Sequence, residues 1–119
     1  MEIAVTDMER AIKFYETVFG FKLERHRMGE LDMVWFPSIE AAMGSSGALV
    51  KNDKWYKPTL DGSLIYFTAF SGDLNNELVK VDGAGGKIYI PRKQISSEVG
   101  FMAVVGDTEG NRLAIHSRK

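Results

Sequence analysis

The sequence predicts an α+β domain made of two copies of one βαβββ unit, on three observations. Two helix signals stand the same distance from two glycine stops, an apolar/polar strand follows each stop, and further positions recur at the same offset. Asp7 to Gly20 is 13 positions and Asp73 to Gly86 is also 13, which sets the copies 66 residues apart. Gly44 and Ala48 then fall on Gly110 and Ala114 at that offset. Module one takes residues 1–51, a polar connection 52–62, and module two 63–119, in a single domain of 119 residues.

Each element has a local reason. Thr6 and Asp7 are both good N-caps, and Thr6-Asp7-Met8-Glu9 has capping-box spacing. Met8, Ala11, Ile12, Tyr15, Val18 and Phe19 then recur at helical intervals before Gly20 stops the helix. Phe21 to Arg25 alternates like a half-buried strand, a second strand runs from about Asp32 to Phe36 before Pro37, and a third from Gly44 to Lys51. In module two, the strand Leu64 to Phe70 leads to Asp73 and a helix through Leu74, Leu78 and Val81 that ends at Gly85-Gly86. Lys87 to Ile90 reads as the next strand. A turn, Asp107 to Asn111, joins the last two, Gly100 to Val105 and Asn111 to Ser117.

Composition narrows the function classes. Fifteen Lys+Arg against sixteen Asp+Glu leave a net charge of −1, and no segment gathers its basic residues, so a nucleic-acid partner is not expected. Apolar runs such as Leu64 to Phe70 are too short to span a bilayer, and the first residues lack the pattern of a signal peptide. Cysteine is absent, which removes disulfides and thiolate metal sites and fits a cytoplasmic location.

Val5-Thr6-Asp7-Met8-Glu9-Arg10-Ala11-Ile12-Lys13-Phe14-Tyr15, followed by Val18-Phe19-Gly20-Phe21, resembles the opening motif of the vicinal oxygen chelate superfamily. Gly47 to Lys51 and Asp107 to Ser117 resemble two further motifs of its small bacterial, glyoxalase-like branch, alongside bleomycin-resistance proteins and extradiol dioxygenases. The resemblance implies paired βαβββ modules whose curved mixed sheet forms cavities, usually in a homodimer. It does not fix an activity.

In metal-dependent members, the resemblance puts ligands at four equivalent strand positions, two per module. Counting from Gly110 and Gly44, the last-strand positions are Ala114 and Ala48. Counting back from Gly86 gives Tyr66, and its mate at the same offset would precede Met1. Alanine has no donor atom and neutral tyrosine is an uncommon ligand, so no metal and no other cofactor is expected.

Strand alternation places Glu2, Tyr66, Thr68, Arg112 and His116 on the face of those positions, with Ala48 and Ala114 leaving space between them. His116 can exchange protons near neutral pH, and Glu2 could orient it if their strands lie side by side. Arg112 suits an anion; Tyr66 and Trp35 suit a flat ring. Each has a structural alternative: a backbone bond for His116, a solvated or interface ion pair for Arg112, a frayed chain start for Glu2, strand propensity for Tyr66 and Thr68. Trp35, Phe36, Trp55 and Tyr56 suit a pocket mouth or a dimer seam equally, and His26 reads as surface. The expected function is a metal-independent protein that binds a small anionic or aromatic molecule as a homodimer. The alternatives are a glyoxalase-like isomerase or lyase using His116 and Glu2, and a structural or regulatory dimer with a vestigial cavity.

Overall fold

The computed structural model describes residues 1–28, 31–37, 47–54 and 56–119. Its elements run β1 (Glu2–Ala4), α1 (Met8–Phe19), β2 (Glu24–Met28), β3 (Leu31–Trp35), β4 (Ala48–Lys51), β5 (Ile65–Thr68), α2 (Leu74–Val81), β6 (Lys87–Ser96), β7 (Gly100–Gly106) and β8 (Arg112–Ser117). The order βαβββ therefore occurs twice. The strands form two four-stranded mixed sheets, β1-β4-β3-β2 and β5-β8-β7-β6. In each, the first and last strands of the module pair in parallel, and the other pairs are antiparallel. Among the described residues no helix is long and apolar enough to cross a membrane.

Both helices start where their carboxylate caps predict. Asp7 accepts from the Arg10 N–H at 3.1 Å and Asp73 from the Asn75 N–H at 3.0 Å. The predicted stripe of α1 is buried at Met8, Ala11, Tyr15, Val18 and Phe19, joined by Phe14. These side chains share one cluster with Ile3, Val5, Val34 and Leu49 of module one and Phe67, Ala103, Val105, Leu113 and Ile115 of module two. One apolar core thus joins the inner faces of both sheets, and each large side chain fully buried there contributes roughly 1.5–3 kcal/mol.

Besides α2, which ends at Val81 with Asp82 as its C-cap rather than at Gly85-Gly86, three boundaries differ most from the sequence expectation. Phe21 to Leu23 precede β2 as irregular chain, because the Leu23 N–H goes to the Glu16 carboxylate at 2.9 Å and Phe21 stacks on Phe19 at 5.6 Å. The strand expected from Gly44 is described from Ala48 onward, and residues 44–46 lie outside the described residues. β6 continues past Pro91 to Ser96. It lies at a sheet edge and its pairing with β7 shifts register three times, so a missing proline N–H breaks no obligatory ladder.

The two glycine stops work differently. Gly20 caps α1 in the left-handed conformation, with φ 77°, as expected. After α2, Gly85 takes the left-handed turn at φ 95°, whereas a Cβ on Gly86 would stand 2.4 Å from the Gly106 oxygen and 2.6 Å from Phe14. Gly86 is there for close approach, which lets α1 of module one reach the start of β6.

The modules are locked through the β7–β8 turn. Glu109 is buried, 8% exposed, and one of its oxygens accepts from the backbone N–H of Thr6 at 2.9 Å and of Asp7 at 2.7 Å. The other meets Arg10 Nε at 2.7 Å and the Thr108 hydroxyl at 2.9 Å. Glu109 thus satisfies backbone donors at the start of α1, a task the local Thr6–Glu9 box was expected to perform; Glu9 pairs with Arg25 instead. Beside it, the buried Tyr15 hydroxyl donates to Asp107 at 2.7 Å, and Asn111 donates to the Ala4 carbonyl at 2.7 Å.

Burial opposes the charge on Glu109, but the Arg10 bond and the Asp7, Thr108 and Thr6 donors outweigh it and lower the carboxyl to about 2. A carboxyl depressed in the fold stabilises above its unfolded value and loses that contribution as pH falls through the folded one. Glu109→Ala should therefore cost about 2–4 kcal/mol in urea titration at pH 7, with the deficit shrinking from about pH 4.5 towards pH 2. Gly86→Ala should cost about 2–4 kcal/mol at either pH, since the added methyl meets backbone oxygen and a packed ring.

Candidate functional site

Away from the helices each sheet turns a second face outward, and the ladders define which residues share it. On sheet one, Glu2, Ala48, Trp35 and Glu24 form one transverse row, and Ala4, Val50, Met33 and His26 the next. On sheet two the rows are Tyr66, Ala114, Val104 and Thr68, His116, Met102. The register corrects the repeat. Glu2 pairs with Ala48 as Tyr66 pairs with Ala114, so the first strands are offset by 64 although the helix caps and last strands keep 66. Module two carries its two extra residues between β5 and Asp73, and the mate of Tyr66 is Glu2, within the chain.

The alanines do not leave open space. Ala48, 5% exposed, clusters with Met33 and Val50, and Tyr56 from the connection packs over them beside Leu31. Ala114, fully buried, lies with Met102, Val104 and Leu64. Flanking them, Trp35 is 44% and Tyr66 54% exposed. Trp35 stacks on His26 at 4.1 Å, so His26 belongs to this face and is half-buried. Trp55 lies outside the described residues.

Glu2 and His116 are held apart by their partners. The Tyr56 hydroxyl donates to the Glu2 carboxylate at 2.7 Å, a bond that raises the tyrosine pKa. Tyr56 suits a pocket mouth or seam by sequence, but its bond to Glu2 is the contact sequence reasoning missed, because its place in a polar connection gave no periodic signal. His116 Nε2 meets the Val99 carbonyl at 2.7 Å, which makes it the protonated ring nitrogen and ties β8 to the β6–β7 turn. β1 and β8 lie in different sheets, so the side-by-side arrangement that would join Glu2 to His116 does not occur.

Arg112 is drawn away from both faces. It lines a cleft of about 240 Å³ between the modules, where the edge strand β1 meets β5 and the start of β8. Glu2, Lys57, Thr59, Ser63 and Asn111 supply its other polar groups, and Ile3, Ile65 and Leu113 its apolar wall. The structure thus divides the predicted set three ways. Trp35 and Ala48 stay on sheet one, Tyr66, Thr68, Ala114 and His116 on sheet two, and Glu2 with Arg112 at the junction.

The profile of the glyoxalase/bleomycin resistance protein/dioxygenase superfamily matches residues 1–115. The chain belongs to that superfamily. Among solved structures, glyoxalase I from Zea mays superposes with a TM-score of 0.73 at 19% identity, covering 99% of this chain and 44% of that one. This superfamily member thus spans less than half the length of the maize enzyme. A glyoxylase/bleomycin resistance protein/dioxygenase domain from Frankia sp. gives a TM-score of 0.74 at 17% identity, covering 100% of this chain and 94% of that one. The trypanothione-dependent glyoxalase I of Leishmania major gives 0.69 at 18%, covering 99% and 84%. At these identities the likeness is one of fold. No curated protein matches.

Metal-dependent members of the superfamily need a donor at each of the four paired positions. Here those positions hold one carboxylate, one phenol and two buried alanines, and the carboxylate is already engaged by Tyr56. Among the described residues no three His, Cys, Asp or Glu side chains stand together as a ligand group. This donor set does not fit the metal.

The His116 bond has a consequence for the turn it holds. His116→Ala should keep the fold, because the ring is on an outer face, while amide exchange at Val99 and Gly100 rises about tenfold by hydrogen-exchange mass spectrometry, the loss of one bond worth about 1.4 kcal/mol.

Proposed function

We propose that this superfamily member is a metal-independent protein that binds a small aromatic or anionic molecule, acting as a homodimer whose outer sheet faces enclose the ligand. The observation that carries the reading is the pairing of an exposed aromatic with each alanine position: Trp35 beside Ala48, and Tyr66 beside Ala114. Where a metal enzyme needs donors, this chain presents apolar floor and aromatic edge. Such a surface gains from stacking and burial and offers no Lewis acid. Phe70 and the β6 residues Ile88, Tyr89, Ile90 and Ile95 are also exposed, and a second copy seated on sheet two would cover apolar surface of that kind. Proton transfer by Glu2 and His116 gains no support from their separate partners.

The test uses the full chain in native mass spectrometry, with naphthalene-2-sulfonate as an aromatic anion probe. The expected result is a dimer without stoichiometric metal, unchanged melting with zinc or nickel, and saturable probe binding weakened at least tenfold in Trp35→Ala and Tyr66→Ala. A stoichiometric metal would overturn the metal-independent reading, and a dimer indifferent to the probe would favour a vestigial cavity.

A further inference from the structure

We propose that the cleft between the modules is a separate binding site for a small monocarboxylate. Of the outer-face rows it takes only Glu2 and Ala4. It shares none of Trp35, Ala48, Tyr66, Thr68, Ala114 and His116, so its cationic groups do not depend on those faces holding a ligand. Among the described residues three charged side chains line it: Lys57, Arg112 and Glu2. Their sum is one positive charge, which matches a monoanion and disfavours a dianion such as phosphate near neutral pH.

The arginine is poorly used by the protein. Among the described residues its Nε, shut from solvent, has no hydrogen-bond partner, and its one side-chain bond, from Nη2 to the Gly62 carbonyl, is long at 3.4 Å. Among the described residues, neither Arg112 nor Lys57 pairs with an acid. Glu2, the nearby acid, is turned to the Tyr56 hydroxyl. A carboxylate is the planar acceptor that a guanidinium fork takes through two parallel N–H bonds, and a modest turn of Arg112 would give its Nε a partner as well. Ile3, Ile65 and Leu113 would receive a short hydrocarbon tail, and the volume of about 240 Å³ suits an acid of a few carbons.

The probe is sodium acetate, titrated into the ¹⁵N-labelled full chain at constant ionic strength with chloride as reference. Saturable shifts should appear at the Gly62, Ser63 and Asn111 amides and at the Arg112 Nε–H. Lys57→Ala, a change at an exposed side chain, and Arg112→Ala should each weaken the response at least fivefold. Glu2→Gln should tighten acetate severalfold and admit inorganic phosphate, because it raises the site to two positive charges. The proposal is overturned if chloride produces the same shifts, if Lys57→Ala and Arg112→Ala leave the titration unchanged, or if the shifts map to Trp35, Tyr66 and Thr68 instead. That last result would leave the outer-face reading standing, and loss of naphthalene-2-sulfonate binding would leave this one standing.

Discussion

The carboxylate of Glu109 is the constraint on which the two-module arrangement rests. A helix start exposes backbone N–H groups that need acceptors, and in this chain those of Thr6 and Asp7 find theirs in a residue more than a hundred positions later. Because the carboxylate is buried, it must also be neutralised, and Arg10 from the first turn of the same helix does so. Turn, helix start and arginine therefore fix one another. Tyr15 and Asp107 extend the lock into the core, where a misplaced turn would strand a buried hydroxyl and a buried carboxylate together.

That lock is one-sided, and the asymmetry explains where the repeat departs from itself. The start of α2 is served from within its own module, where Ser117 accepts the Leu74 N–H at 3.0 Å and Ser71 donates to the buried Glu77 at 2.7 Å. Ser71 stands in the two-residue insertion that shifts the first-strand offset from 66 to 64. Gly86 adds the second departure, since its bare backbone is what allows α1 to lean on module two.

What could be read in the sequence was local or periodic. The caps Asp7 and Asp73, the buried stripe of α1 and the alternation along β5 and β8 each depend on neighbours within one turn or one strand, and the structure has them in place. The family motifs led to the same architecture. What could not be read was set by partners distant in sequence. A fixed offset counted through the helices missed that Glu2 is the mate of Tyr66, because an insertion between strand and helix is invisible to a repeat anchored on the helix. The strand expected over Lys87 to Ile90 continues through Pro91 to Ser96, because its position at the sheet edge is a tertiary fact. The predicted residue types were sensible, but sorting Glu2 and Arg112 from Tyr66, Thr68 and His116 required the placement of two sheets.

The same lock creates the gap between those sheets. Joining the modules through a helix start and a turn leaves β1 and β5 as the free edges of separate sheets, with no ladder between them. Asn111 bridges that gap by donating to Ala4 and accepting from the Thr59 N–H at 3.2 Å, and it lines the cleft with Tyr15. The cleft therefore has a wall built from the residues that hold the modules together. Its shape is fixed by the buried Asp107 and Glu109 interactions, while its charge comes from Glu2, Lys57 and Arg112, which those interactions do not use. A rigid frame with unpaired cations is a physical basis for binding, because ordering costs are met by folding while Lys57 and Arg112 pair with no acid among the described residues.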